Sequence, residues 1–414
     1  MEYSQTSSGS KSRLIRILMV LGPRIVVMLA DTDVGSVITA AQSGAVWGYK
    51  LLPLQVVLIP VLYIVQELTV RIGIVTGKGH GELIKEYFGP RWAWFSVGTL
   101  TLASIGALIT EFAGVGGVGL LFGIPLKVSV GMSVAFLAVV AWTGSYRSVE
   151  RIAILMGSFE LAFVLVAIMA HPRASEMITE LTRIPWKNSA YLYLAAANVG
   201  AVIMPWMIFY QQSAIVEKRV TLRDLRAARG DTAMGAVVTQ VIMVSIIIAT
   251  AATIGREHPG TPLTTVQQIT NALIPALGGK LGAVFFALGM VGAAMVAAVV
   301  VSLAMAWGLG EVSEYKHSLE YHPSEAPWFY VIYTAALILS GLLVVSGTNL
   351  VALSIGVQVM NALLLPIVLG FLYLLALKAL PDRYRLRGKY GTVMGVVIVV
   401  TSGFGVAAVL NTLL

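Results

Sequence analysis

Asp31 and Asp33 stand two residues apart inside an apolar stretch running from about residue 14 to 47. A carboxylate at the centre of a bilayer costs about 2.5–3.5 kcal/mol on insertion scales, so each needs a partner or a task. Two tasks suit them: ligating a cation, or pairing with Arg24 or Arg71. On a regular helix, residues i and i+2 face different ways. Unwinding over Asp31-Thr-Asp-Val-Gly-Ser36 brings both toward one cation, or leaves one to bind while the other faces water or a helix neighbour. Glu67 and Arg71, at i and i+4 in the next apolar stretch, have the spacing of a structural ion pair. Glu111, with Thr110 beside it, and Glu160 are isolated carboxyls in later stretches, placed where a proton carrier would sit.

Other donor types are scarce. The chain has no Cys, which excludes disulfides, thiolate metal sites and cysteine nucleophiles. The five histidines, His80, His171, His258, His317 and His322, fall in loops or at helix ends. That leaves no imidazole inside the apolar stretches, so a metal site must use oxygen, with sulfur as the one addition. Met204 stands beside Pro205, where Gly200-Ala-Val-Ile-Met-Pro-Trp206 interrupts another apolar stretch. Met is ordinarily a gap-filler in cores; its position at a break singles Met204 out of the 16 in the chain. No phosphate-binding loop or ATP-site motif is present, which argues against primary pumping.

The elements that position these residues are apolar helices. Of 414 residues, 57% are hydrophobic and 12% charged, about half the charge of a soluble domain. This excludes a soluble enzyme and a disordered chain and leaves an all-α polytopic membrane protein. A spanning helix needs roughly 20 mostly apolar residues. Eleven stretches qualify, near 14–47, 50–75, 94–121, 126–144, 150–171, 189–214, 231–255, 280–309, 327–347, 349–378 and 390–412. The first and sixth are the two interrupted ones, and they open two sets of five. Matched interruptions of this kind point to a transport site between inverted repeats, about 14–171 and 189–378, with 390–412 as an extra helix. An unwound turn frees carbonyls for a cation, and the C-terminus of a half-helix is partially negative.

Met1–Ser12 reads as a disordered cytoplasmic tail without a signal-peptide cleavage pattern, and 13–414 as one transmembrane domain. With the N-terminus inside, the cytoplasmic segments hold 19 Lys and Arg against 7 outside, so the expected placement is multi-pass in the plasma (inner) membrane with a cytoplasmic N-terminus. The net charge of +8 belongs to those loops, and no nucleic-acid partner is expected. The lipid bilayer is the partner implied; the oligomeric state is open, and a monomer suffices. No cofactor is expected.

At these residues the chain resembles the Nramp family of divalent-metal transporters, which have the LeuT-type 5+5 inverted-repeat fold with broken helices 1 and 6. The family's Asp-Pro-Gly-Asn motif corresponds to Asp33-Val-Gly-Ser36, followed by Gln42-Ser-Gly-Ala45 and Gly48-Tyr-Lys-Leu-Leu52. Gly22-Pro23, Arg71-Ile-Gly-Ile-Val-Thr-Gly-Lys78 with Glu82-Leu, and Phe122-Gly-Ile-Pro125 also fall in place. The family's Ala-x-x-Met-Pro-His corresponds to Ala201-Val-Ile-Met-Pro-Trp206, and Gln358 stands eight before Pro366. The similarity spans most of residues 20–375.

The resemblance implies that Asp33, Ser36, the Ala201 carbonyl and the Met204 sulfur ligate a metal ion as cargo, with Gln358 joining in an occluded state. Four departures bear on this. Ser36 replaces Asn and is shorter, so a water can bridge. Val34 replaces Pro at the first break. Trp206 replaces the His that the family associates with proton movement, and Leu108 stands where an Asp usually precedes Glu111. Trp206 is similar to the Nramp-related magnesium transporters, a branch without proton coupling. Met204 points the other way, since a thioether favours manganese, iron or cadmium over magnesium. The expected function is uptake of manganese-like divalent cations with weak or no proton coupling, Asp31 and Glu111 being the remaining candidates for a proton route. Magnesium transport is the alternative, and a sodium-coupled amino-acid or organic-solute transporter of the same fold is the alternative of another class.

Overall fold

The structure is a computed structural model, and it describes residues 28–143, 146–265, 268–269, 280–346 and 349–413. The expected tail, the first part of the first span, Gly22-Pro23 and Arg24 lie outside the described residues. Among the described residues there is no strand.

The first span is described from Met28, and its helix α1 covers Val34–Trp47. The other ten expected spans all appear as helices long and apolar enough to cross a bilayer. They are α2 (Leu52–Thr76), α4 (Pro90–Leu121), α5 (Leu126–Thr143), a fifth span made of α6 (Tyr146–Ser158), a 3-10 turn (Phe159–Leu161) and α7 (Ala162–Met169), a broken sixth span made of α9 (Ser189–Val202) and α10 (Pro205–Glu217), then α11 (Leu225–Ala252), α12 (Lys280–Ser313), α13 (Pro327–Val345), α14 (Leu350–Lys378) and α15 (Gly388–Leu413). Three short helices flank the spans: α3 (His80–Phe88), α8 (Ala174–Leu181) and a single turn at Ile254–Glu257.

Several boundaries differ from the sequence expectation by a few residues, and two of the shifts have a visible cause. The seventh span begins near 222, not 231, because Thr221 and Asp224 form a capping box ahead of α11 and Arg229 pairs with Glu67. The eighth runs through Ser313 rather than 309, because Glu311 is buried and hydrogen-bonded to Ser213 and Gly81. Hydropathy alone ends a span at such charges.

Burial follows the membrane as solvent. In the broken sixth span 89% of the most apolar window is buried, against 33% in Leu126–Thr143, so the broken helix is central and α5 peripheral. Met132, Ile168, Leu342 and Val399 point outward, as lipid-facing apolar residues do. The helix α1 packs against α9, α11 and α14, while α10 packs against α2 and α12.

The Glu67–Arg71 pair forms as expected, at 2.5 Å. It is part of a larger network. Arg229 of α11 reaches the other Glu67 oxygen at 2.7 Å, and Tyr390 of α15 donates to Glu67 at 3.2 Å. Arg71 is thereby committed to Glu67 and is not a partner for Asp33.

Candidate cation site at the two helix breaks

Both interruptions are real breaks in the backbone. Residues 28–30 form a helical turn, 31–32 a turn, and Asp33 is extended (φ −60, ψ 169) before α1 begins. The Asp33 side chain caps that helix: Oδ1 accepts from the Ser36 backbone N–H at 2.7 Å. Such an N-cap is worth about 1 kcal/mol, and the carboxylate also meets the positive end of the helix dipole. In the sixth span, α9 stops at Val202, and Ile203 (φ −125, ψ 98) and Met204 (φ −108, ψ 142) are extended. Pro205 is the first residue of α10. At that position its missing N–H is no loss, whereas inside a continuous helix it would be.

The two breaks meet. The Ser36 hydroxyl lies 2.6 Å from Asp33 Oδ1 and 2.7 Å from the Ala201 carbonyl oxygen. It has one proton for two acceptors, so one contact is always an oxygen facing an oxygen. Asp33 Oδ2 is buried and receives no well-formed hydrogen bond, with the Gln358 amide and the Glu111 carboxyl as the side chains that face the Asp33 carboxylate. Two glycines let Gln358 of α14 approach both breaks. A Cβ on Gly35 would lie 2.0 Å from Gln358 Nε2, and one on Gly200 would lie 1.8 Å from the Gln358 carbonyl oxygen. Four of the five expected ligand positions (Asp33, Ser36, Ala201 and Gln358) therefore converge. Met204 is buried in the extended link three residues beyond Ala201. Among the described residues no three His, Asp or Glu surround one point, so the site is one of mixed donors: carboxylate, hydroxyl, carbonyl and thioether.

Glu111 touches the first break directly. Its Oε2 accepts from the Val34 backbone N–H at 3.2 Å and its Oε1 from Thr110 at 3.2 Å. It was expected as a solitary carboxyl, and it is instead an acceptor that holds the start of α1. Glu160 was also expected to be isolated. The Thr32 hydroxyl donates to its Oε2, which brings the fifth span against the same break. Asp31 is fully buried with both oxygens unpartnered. Trp206, second residue of α10, is fully buried and its Nε1 finds no partner.

Three participants escaped the sequence reading. Asn361, one turn beyond Gln358, donates to its Oε1 at 2.9 Å. Asn198 donates to Ser43 at 2.8 Å and accepts from Gln55 at 2.6 Å, tying α9 to α1 and α2. His80 lies outside the spans, as expected, but it is fully buried against α10, with Gln212 at 3.2 Å and the Phe209 ring at 4.8 Å. The signal for the first two was present: an amide in an apolar span needs a partner just as a carboxylate does.

The fold and the breaks have counterparts among known proteins. Residues 24–411 match the family described as natural resistance-associated macrophage protein-like, Nramp. A divalent metal cation transporter, MntH, of Brucella suis is 29% identical over 303 residues, covering 68% of this chain and 64% of the relative. The chain thus spans somewhat less than two thirds of that relative. The crystal structure of an Eremococcus coleocola manganese transporter superposes with a TM-score of 0.75 at 18% identity, covering 99% of this chain and 89% of that one. MhsT in complex with L-phenylalanine superposes with a TM-score of 0.62 at 14% identity, covering 94% of this chain and 97% of that one. At such identities the likeness is one of fold, and it is the architecture of paired repeats with two broken helices. With nearly the whole length matched and the expected breaks in place, the chain belongs to the Nramp family of membrane transporters.

Proposed function

We propose that the chain carries divalent metal cations across a cell membrane into the cytoplasm, with a preference for manganese-like ions. The relatives named above are divalent-metal and manganese transporters. The observation that carries the reading is the pairing of an under-bonded Asp33 oxygen with the Ser36 hydroxyl and the Ala201 carbonyl, all buried where the two breaks meet. An anionic substrate would want basic groups there, which disfavours an amino-acid or organic-solute cargo. In this proposal Asp33 supplies the charge, Ala201 and Ser36 supply oxygens, and Met204 supplies the soft donor that favours manganese over magnesium. Gln358 joins by exchanging the ends of its amide with those of Asn361. The bond between them then runs from Gln358 Nε2 to Asn361 Oδ1, which is otherwise unpartnered, and the Gln358 oxygen turns to the cargo.

Proton coupling is weak or absent in this reading. Trp206 and Leu108 cannot titrate, and Glu111 is engaged in holding the first break through the Val34 backbone N–H. The placement that goes with it is the plasma (inner) membrane, N-terminus inside, as one domain of two five-helix repeats and an extra helix. A magnesium transporter is the second reading, favoured by Trp206 at the break. Proteoliposomes decide. Manganese uptake exceeding magnesium uptake, lost in Asp33→Ala and unaccompanied by acidification of the lumen, is the expected result. Wild-type uptake by Asp33→Ala would place the site elsewhere, and acidification that disappears in Glu111→Gln would restore a proton symporter.

A further inference from the structure

We propose that Asp31, Thr32 and Glu160 form a second cation site, on the far side of the first break from Asp33 and made of oxygen alone. The proposal rests on the reading that the chain carries cations, but it concerns different side chains. Asp33 turns toward Ser36 and α9. Thr32, its neighbour, turns the other way and bonds Glu160 in the fifth span. The chain turns at 31–32 and is extended at Asp33, so Thr32 and Asp33 serve opposite walls and Asp31 sits in the turn ahead of both.

Glu160 and Asp31 are both fully buried. Glu160 Oε1 and both Asp31 oxygens have no hydrogen-bond partner. The titratable groups that act on Glu160 among the described residues are Asp31 first, then Asp33 and Glu111, all carboxyls with no lysine or arginine among them. Two buried carboxyls with three unpartnered oxygens between them are neutralised by protons or by a cation, and a cation can take the place of the protons. The Thr32 hydroxyl has a single proton, with Leu29 O at 2.9 Å and Glu160 Oε2 both in reach, so it too has lone pairs to offer. The helix of the fifth span tightens to a 3-10 turn at Phe159–Leu161, which sets Glu160 at an irregular point of the span. Mid-helix 3-10 turns often mark functional points. Behind it, α12 closes in: a Cβ on Gly292 would lie 2.4 Å from Met156 O.

The donor set of two carboxyls and a hydroxyl suits a hard cation. Sodium and a second copy of the cargo share that chemistry, and binding stoichiometry separates them. The full-length purified chain is dialysed against manganese, with and without sodium, and bound metal is counted by elemental analysis. Two manganese ions per chain in the wild type, falling to one in Glu160→Gln, support the site with the cargo as occupant. One manganese ion, whose affinity rises at least tenfold with sodium in the wild type and not at all in Glu160→Gln, supports it with sodium as occupant. Thr32→Val, which removes a ligand without adding a polar group, is expected to give the same loss and stands in if Glu160→Gln does not elute as a single species. One manganese ion, indifferent to sodium and unchanged in both variants, overturns the proposal. Asp33→Ala keeps the two failures apart: it removes the ion of the first site and leaves a manganese ion in the second or, with sodium as occupant, leaves a sodium-dependent rise in melting temperature that Glu160→Gln abolishes.

Discussion

Asp33→Asn separates the charge of the site from its geometry. The amide oxygen can still accept from the Ser36 N–H that Asp33 Oδ1 receives at 2.7 Å, and Asn caps helices about as well as Asp. The fold of the first break is therefore kept to within a few tenths of a kcal/mol. What is lost is the one anionic ligand in the proposed cation shell. The wild type, titrated with manganese to about 100 times its dissociation constant, gains roughly 2.7 kcal/mol of stability by mass action. For 414 residues at roughly 2 cal/mol/K per residue, the unfolding entropy is about 0.9 kcal/mol per degree, so the shift is near 3 °C. Asp33→Asn is expected to show none of it. The metal-free variant is expected to melt at or above the wild type, because a buried, half-partnered carboxylate has been replaced by a neutral amide. Differential scanning fluorimetry in detergent, with and without manganese, reads both numbers. A manganese shift of full size in Asp33→Asn would refute the assignment and move the first-site charge to Asp31.

Met204→Ala is expected to weaken manganese and cadmium binding by about tenfold, the order of one lost donor, while magnesium binds equally or better; calorimetry of the three ions checks it, and an unchanged ranking would make Met204 packing only. Gly200→Ala pushes a methyl to 1.8 Å from a backbone oxygen of α14 and is expected to abolish folded protein, whereas Gly35→Ala meets the movable end of Gln358 at 2.0 Å and should fold but bind manganese more weakly; size-exclusion yield and calorimetry distinguish them. Burial holds the His80 imidazole, outside the spans, down to about 4 from 6.5, partly offset by Gln212. The unfolded chain therefore takes up a proton as pH falls below about 6.5 while the folded protein does not until about 4, and stability drops through that window. Between pH 7 and 5 the loss is about 2 kcal/mol, and the expected result is a pH-dependent melting temperature that flattens in His80→Gln.

Much of the fold was legible because lipid imposes a length rule that few sequences satisfy by accident. Ten spans could be located from hydropathy, and the two breaks announced themselves by chemistry that a continuous helix would not tolerate: paired carboxylates at Asp31 and Asp33, and Pro205 after Met204. The Glu67–Arg71 pair was readable because its spacing is local. What could not be read was everything that joins distant segments. That Thr32 meets Glu160, that Glu111 holds the amide of Val34, and that Arg229 and Tyr390 share Glu67 depend on which faces of which helices meet. No periodicity encodes that. His80 shows the same limit: a histidine in a loop by position is a core residue by contact.

The under-bonded oxygen of Asp33 has an electrical consequence. Among the described residues no lysine or arginine neutralises it, so, counting Asp33 alone, the empty carrier holds one negative charge at the site and the carrier loaded with a divalent ion holds one positive charge. Under an inside-negative potential the loaded, inward step is favoured by up to about 2.3 kcal/mol per 100 mV. The empty carrier's return moves negative charge outward and is favoured by a similar amount. A carrier whose site was neutral when empty would place the whole voltage dependence on one step and leave the other indifferent. With Asp33 as the proposed ligand, hyperpolarisation is expected to accelerate both halves of the cycle, so that neither becomes the bottleneck as the potential rises.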